Sequence, residues 1–433
     1  MYISAPSGTK VLAGYLIPEE EYSRLDHSDF NTYGEEKSLE IIQFMRDLDW
    51  VYISFDEGDR ISLRPTEKGL RIFEDGLKDE LINDQKTLID LIRKYMVKKI
   101  EGSECSQETQ DLAEYYMKSG NYTRAIDFGS NAIKLGLKTR DEKLLAKGHY
   151  LYGTINLYKL ELGFAQSHLE KSILYSDKVN DIKTKGMSLV GLGSVYGYKY
   201  DNDRSLECFE RANLLFAEID DKKGLNLVKM NEAYVYASMG KLEEFFQMNQ
   251  EAIEFFESIG DKHHLEFCYL NQSAVLLSMG KPNEAIDSVV EAHELAKEMG
   301  NERMLHLSGL NIAKIYIETR RFGDSYDYII NAFEYFRKNF DMNGIAQCHV
   351  VMATYFVATK NRKAVEEEIR KMEKNFSVRV FRPIIDGYVS VIRTMKLYGY
   401  PGKEILEKIE EFSKKCRENN KEELFKTIIE ESV

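Results

Sequence analysis

The chain has 433 residues, of which 43% are hydrophobic and 30% charged, and its net charge is −13. That length suits either a few ordinary domains or one domain followed by a repeat array, and the acidic balance argues against broad binding to nucleic-acid backbone, which requires cations facing phosphates. No run of about 18 apolar residues could span a membrane, and five isolated cysteines exclude a CxxC zinc site or a disulfide framework.

The beginning of the chain does not read as a secretion signal. Its short apolar run is interrupted by a proline and followed by acidic residues, in "MYISAPSGTKVLAGYLIPEEEY", whereas a signal peptide needs a basic start and a continuous apolar core. We therefore expect a cytoplasmic protein.

Residues 1–80 predict a small α+β domain. The segment 34–50 has the apolar spacing of an amphipathic helix. Alternating apolar residues at 51, 53 and 55 then lead into "DEGD" and out again through Ile61 and Leu63, which is the pattern of a β-hairpin.

The order helix, strand, turn and strand, ending in "LRPTEKG" at 63–69, resembles the wing region of winged-helix transcription regulators. That resemblance implies DNA contacts from Lys37, Arg60, Arg64 and Lys68. The charge of residues 1–100 opposes it, because 14 Lys and Arg stand against 20 Asp and Glu, a net of −6. A winged helix used for protein contact or dimerisation, or a different small α+β fold, are the alternatives.

Residues 81–105 predict a connecting helix and a polar linker. Apolar residues at 81, 88, 91, 92 and 95 form a stripe along one face. This stripe is expected to pack on the following domain or to pair with a second copy, so a homodimer is an open alternative.

Residues 106–380 carry a repeat with a period of 40. Acidic or amide residues recur at that step, and so do small residues: Asp141, Asp181, Asp221, Asp261, Asn301 and Asp341 in one ladder, and Ala132, Ser172, Ala212, Ala252, Ala292 and Ala332 in the other. Such a period is typical of a solenoid. Small residues allow close approach of neighbouring helices, and Asp or Asn suits a helix N-cap.

Each repeat contains two amphipathic runs separated by motifs such as "SMGK" at 238–241 and 278–281, whose glycine suits a left-handed helix end. The pattern resembles the tetratricopeptide repeat, in the 40-residue form of kinesin light chain, spindle-orientation adaptors and Rap-type regulators. The resemblance implies a mainly α fold, a right-handed α-α superhelix of about seven repeats. Residues 381–433 are expected to form a degenerate repeat or capping helices.

A third ladder predicts a binding groove. Asn231, Asn271 and Asn311 are 40 residues apart, and by the repeat consensus they face the concave surface, where an amide can both donate to and accept from a peptide backbone. The same face is expected to present Tyr198, Tyr234, Ser238, Ser278, Lys314 and Glu318. The alternative is that these asparagines only bridge adjacent helices.

No other motif predicts chemistry. His263 and His264 follow a turn, lack partners at ligand spacing and are interpreted as solvated. We expect no enzyme activity, cofactor, metal or membrane partner. Two hypotheses remain: an adaptor that binds a protein or peptide in its concave face, and a regulator whose repeat array controls a DNA-binding N-terminal domain.

Overall fold

The computed structural model describes residues 104–339, 341–375 and 381–401, three short strands, residues 45–46 and single positions within 87–98 and 403–414. At 51–55, 61–65, 373–375 and 381–386 it describes the backbone and not the side chains. The chain divides into two compact units, Met1–Tyr115 and Tyr116–Val433.

The first unit contains a three-stranded sheet in the order β1-β3-β2, formed by β1 (Ile3–Ser4), β2 (Val51–Phe55) and β3 (Ile61–Pro65). Strands β2 and β3 pair antiparallel with Ile53 opposite Leu63, which confirms the predicted hairpin. The parallel pairing of β1 with β3 was not predicted. Arg64 lies in β3 opposite Tyr52, whereas Lys37, Arg60 and Lys68 lie outside the described residues.

Consecutive α-helices make up the array. They are α1 (Ser106–Lys118), α2 (Tyr122–Thr139), α3 (Glu142–Tyr158), α4 (Leu162–Val179), α5 (Ile182–Tyr198), α6 (Asn202–Glu218), α7 (Lys222–Ser238), α8 (Leu242–Ser258), α9 (Lys262–Ser278), α10 (Pro282–Glu298), α11 (Glu302–Glu318), α12 (Phe322–Lys338), α13 (Met342–Ala358), α14 (Arg362–Asn375) and α15 (Phe381–Leu397). The first helix of each hairpin from α3 to α13 starts 40 residues after the previous one, as the period predicts.

The ladder of aspartates and Asn301 caps these first helices. In each of α3, α5, α7, α9, α11 and α13 the residue before the helix accepts a hydrogen bond from the backbone N–H three residues later. Such a bond satisfies a donor that the helix start would otherwise leave unpaired. The prediction that these residues are caps is confirmed.

Small residues form the interior of the array. All six members of the Ala and Ser ladder are fully buried, which confirms their packing role. Elsewhere a helix crossing depends on glycine: a Cβ on Gly344 would stand 2.3 Å from the ring of Phe336. At such places the aromatic ring fills the space that a side chain on the facing helix would occupy.

The path of the array brings distant hairpins together. The amide of Asn301, at the start of α11, donates to the carbonyl of Lys118 at the end of α1, at 3.1 Å. Arg303 lies over the ring of Tyr122, with 4.9 Å between the guanidinium carbon and the ring centroid. We call this contact between 118–122 and 301–303 the closure contact.

Helix α15 also returns to earlier repeats. It packs on α13 through Tyr388 and Val391. Arg393 donates to the carbonyl of Leu277 at the end of α9, and the Tyr398 hydroxyl donates to the carbonyl of Ile317 at the end of α11. The helix therefore ties together repeats that lie far apart in sequence.

Candidate ligand-binding cavity

A cavity of about 450 Å³ lies within the unit Tyr116–Val433. Its walls come mainly from the first helices of successive hairpins, α3, α5, α7, α9, α11 and α13, with two residues from α15. First helices of a hairpin solenoid line its concave side, so the repeat itself places their side chains around one space.

The asparagine ladder lines this cavity. Asn231, Asn271 and Asn311 are all in its wall and all half-buried. The Asn231 amide already donates to the Leu227 carbonyl at 2.7 Å and accepts from the Ser194 hydroxyl at 3.0 Å. The side chain of Asn271, by contrast, makes no hydrogen bond within the described part of the chain. Asn231 thus does bridge two repeats, as the alternative interpretation expects, while Asn271 presents its amide to the cavity.

Three other predicted groove residues also line the cavity. Tyr198 and Tyr234 are neighbours in its wall, with ring centroids 6.5 Å apart. Lys314 lies one turn beyond Asn311, and its ammonium donates to the Asn311 side-chain oxygen at 3.3 Å. The cavity therefore combines aromatic faces, amides and a cation.

Ser238, Ser278 and Glu318 were expected to line the same surface, but the structure places them outside the cavity wall. The two serines stand at the last residue of their helices, and each hydroxyl donates at 2.7 Å to a carbonyl three residues earlier. Glu318 instead faces Arg393 of α15, at 3.3 Å. These three residues are therefore not part of the cavity wall, whereas Tyr198, at the same position of its own repeat, is part of it. Their contact with a peptide stays a prediction.

An aromatic end of the cavity was missed by sequence reasoning. Tyr122, Tyr150 and Tyr158 line it together with Phe267. The rings of Tyr122 and Tyr158 stack at 5.7 Å, and Tyr158 stacks on Phe267 at 6.1 Å. Burial raises the pKa of Tyr122, so the ring remains an uncharged phenol. The sequence did contain one signal, since Tyr158 stands one period before Tyr198.

The cavity wall also contains polar residues that no repeat pattern predicts. Arg303 lines the cavity and forms an ion pair with Asp341 at 2.8 Å. The wall also includes Asn343 and Gln347 of α13 and Ser390 of α15. The Asn343 side-chain oxygen is buried and accepts no hydrogen bond among the described residues, which makes it a candidate acceptor for a ligand donor.

The two histidines at 263 and 264 are packed rather than solvated, which corrects the sequence interpretation. His264 stacks on Phe256 at 5.1 Å and approaches the Asp261 carboxylate at 2.9 Å. Burial lowers the pKa of His263 to about 3, so its ring is neutral. Among the described residues there is no group of three or more His, Cys, Asp or Glu that could hold a metal.

Solved structures with the same type of fold include Rap proteins. A Rap protein complexed with competence and sporulation factor aligns with a TM-score of 0.53 at 12% identity, covering 81% of this chain and 93% of that one. The Rap conjugation gene regulator of plasmid pLS20, in complex with the Phr* peptide, aligns with a TM-score of 0.52 at 13% identity, covering 86% and 97%. The array is therefore a helical-repeat solenoid of the tetratricopeptide type. Neither a protein-family model nor a curated protein sequence matches the chain.

None of the described helices is long and apolar enough to cross a membrane.

Proposed function

We propose that this protein binds a short peptide, or an extended segment of a partner protein, in the cavity, and that it acts as a binding protein rather than an enzyme. The observation that carries the proposal is the convergence of Asn231, Asn271 and Asn311, from three consecutive repeats, on one cavity wall. Amides at a regular spacing suit the repeating donors and acceptors of an extended backbone.

The rest of the wall supports the same function. Tyrosines at one end supply large apolar faces at low conformational cost, as peptide-binding surfaces do. The cavity volume of about 450 Å³ lies in the range that accommodates small ligands. The fold is shared with a Rap regulator that was solved with the Phr* peptide.

The test is selection from a random hexapeptide pool. The purified protein is incubated with the pool, and retained peptides are identified by mass spectrometry. We expect the wild type to enrich a defined subset, and the triple variant Asn231→Ala, Asn271→Ala, Asn311→Ala to lose that enrichment at least tenfold.

The matched control is the pair Asn226→Ala and Asn339→Ala. These asparagines also lie in the array but not in the cavity wall. Asn226 donates to the carbonyl of Lys222 within its own helix, and Asn339, directly after α12, donates to the carbonyl of Tyr335. Circular dichroism checks that helix content is unchanged in both variants. Equal enrichment by the triple variant and the wild type would contradict the proposal.

A second candidate function, DNA binding by the first unit, is favoured by one observation. Strands β2 and β3 form the hairpin that a wing requires, with Arg64 in β3. Fluorescence anisotropy of a labelled random-sequence duplex at low and physiological salt tests it. DNA binding that depends steeply on salt and is weakened by Arg64→Ala would support a DNA-binding regulator. No DNA binding even at low salt would leave the peptide-binding adaptor as the function.

A further inference from the structure

We infer that Asn343 and Gln347 of α13 form a second amide site in the cavity, which accepts backbone N–H groups from two residues, spaced by two, of an extended peptide. The inference rests on the proposed function, because it concerns the same cavity, but it assigns a ligand contact to residues outside the asparagine ladder. It depends on three observations: the repeat positions of these residues, the hydrogen bonding of their side chains, and their spacing along the helix.

The amide face of the wall changes position where it reaches α13. The residue of α13 at the ladder position is Val351, 40 residues after Asn311, and it is fully buried outside the cavity wall. Amide side chains lie instead about one and two helical turns earlier, at Gln347 and Asn343, and both line the cavity. The amide face therefore continues into α13 through residues that the ladder does not contain.

Gln347 also departs from its own repeat position. The residues at the same step of 40 in the four preceding repeats are apolar and line the cavity too: Met187, Leu227, Phe267 and Leu307. Packing at this place is thus met by an apolar side chain, whereas a half-buried amide is unfavourable unless it is hydrogen-bonded. A ligand contact accounts for the amide, and packing does not.

The described part of the chain leaves both side chains with unused hydrogen-bonding groups. The side-chain oxygen of Asn343 is buried without a donor, and the side chain of Gln347 makes no hydrogen bond within the described residues. Asn231 of the ladder, by contrast, bonds to Leu227 and Ser194. A buried acceptor without a donor is costly, so binding of a ligand N–H there removes that cost.

The spacing of the two amides matches an extended backbone. Residues four apart lie on the same face of a helix, about 6 Å apart along its axis. In an extended peptide the N–H groups of every second residue point to the same edge, and two residues span about 6.5 Å. Asn343 and Gln347 can therefore each accept one N–H group from a segment that lies along α13.

N-methylated peptides test this pairing, because an N-methyl group removes one backbone donor. Three pools of random hexapeptides without proline, acetylated and amidated at their ends, are compared: unmethylated, N-methylated at positions 2, 4 and 6, and N-methylated at positions 3, 4 and 6. The second pool keeps N–H groups two residues apart, at positions 1, 3 and 5. The third pool carries as many methyl groups, but no two of its N–H groups are two residues apart.

The proteins are the wild type, the double variant Asn343→Leu, Gln347→Leu and a control. Leucine is close to both amides in size, and Leu307 holds the equivalent position of Gln347 one repeat earlier. The control is Gln247→Leu, Gln250→Leu on α8. These two amides are exposed, donate to glutamates of their own helix and lie outside the cavity wall.

We expect the wild type and the control to retain the first two pools at least tenfold more than the third. The double variant should lose this preference, because no pair of acceptors remains. Without peptide it should be no less stable to urea than the wild type, since the amides that it replaces lack hydrogen bonds in the described protein. Loss of the preference without loss of stability separates a ligand contact from a packing role.

A second variant applies if the double variant does not fold. Gln347→Leu alone removes one of the two acceptors and should also abolish the preference for the second pool over the third. Asn343→Leu alone should do the same. A folded variant of either kind that keeps the full preference would overturn the inference, as would a wild type that retains the second and third pools equally.

The inference and the proposed function fail in different ways. If the α13 variants keep the preference while the triple asparagine variant loses retention, the inference is wrong and the proposed function stands. If the α13 variants lose the preference while the triple asparagine variant retains peptides like the wild type, the α13 site stands and the ladder does not carry the function. Retention of no pool by the wild type would overturn both.

Discussion

At the residue scale, Glu266 is a buried carboxyl group without a hydrogen-bond partner among the described residues. Its side chain is fully buried in α9, and both carboxyl oxygens accept no hydrogen bond in the described part of the chain. An isolated buried charge is costly, so the group takes a proton instead, and burial raises its pKa to about 8.

This group should make the protein less stable as pH rises. Below about pH 4.5 the carboxyl is protonated in both the folded and the unfolded state and has no effect. Between pH 4.5 and about 8 the unfolded state has lost the proton that the folded state still holds, so the free energy of unfolding falls by up to about 1.4 kcal/mol per pH unit. Above pH 8 the effect is constant.

The Glu266→Gln variant should lack this contribution, so that its stability relative to the wild type increases from pH 4.5 to 8. Urea unfolding followed by circular dichroism at several pH values measures the difference. The exposed Glu298→Gln, also in a helix of the array, is the control and should parallel the wild type. A constant difference between Glu266→Gln and the wild type across this range would show that Glu266 titrates normally.

At the scale of the helix and its turn, the array repeats one backbone device. Wherever the turn after one of the helices α1 to α13 is described, it contains a residue with positive φ. These residues are spaced by 20, as at Gly120, Arg140 and Leu160. Glycine holds this position at "SMGK", with φ of 75° at Gly240 and 73° at Gly280, which confirms the predicted left-handed end. Seven residues other than glycine adopt the same conformation, at a steric cost of about 1 kcal/mol each.

Arg140→Gly should therefore stabilise the protein. Arg140 is exposed, with φ of 58°, so removal of its Cβ relieves the left-handed strain and loses little packing. We expect a gain of up to about 1 kcal/mol, measured as a higher urea midpoint. Arg140→Ala keeps the Cβ and serves as the control. An equal gain from both variants would assign the effect to the lost charge and not to the backbone.

At the scale of the whole array, the closure contact connects segments 183 residues apart. Gly120 lies at its centre: an added Cβ would stand 2.8 Å from the Asn301 side-chain oxygen and 2.9 Å from the Arg303 Cβ. Since Arg303 also pairs with Asp341 and lines the cavity, this contact couples the first hairpin to the cavity wall.

Gly120→Ala should open the closure contact and increase the radius of gyration measured by small-angle X-ray scattering. Gly240→Ala is the matched control. Its φ is also 75°, so the backbone strain is the same, but nothing lies within 4 Å of the added Cβ. We expect the control to lose stability without expanding. Equal scattering from the two variants would mean that the closure contact does not hold the hairpins together.

The features that the sequence by itself determined are the local and periodic ones: the hairpin at 51–65, the helical hairpins of 40 residues, the Asp and Asn caps and the buried Ala and Ser ladder. These depend on interactions within one helix, one turn or adjacent repeats, so a residue's place in the period is enough to predict them. The asparagine ladder belongs to this class as far as its position on the cavity wall.

Only the tertiary structure decided the extent and the ends of the cavity. A small rotation between neighbouring repeats, summed over several hairpins, brings Arg303 to Tyr122 and returns α15 to α9 and α11. No single repeat encodes that sum. Ser238, Ser278 and Glu318 share the period of the groove residues and still lie outside the cavity wall. The period determines a residue's place on its helix, whereas the summed rotation determines which other residues face it.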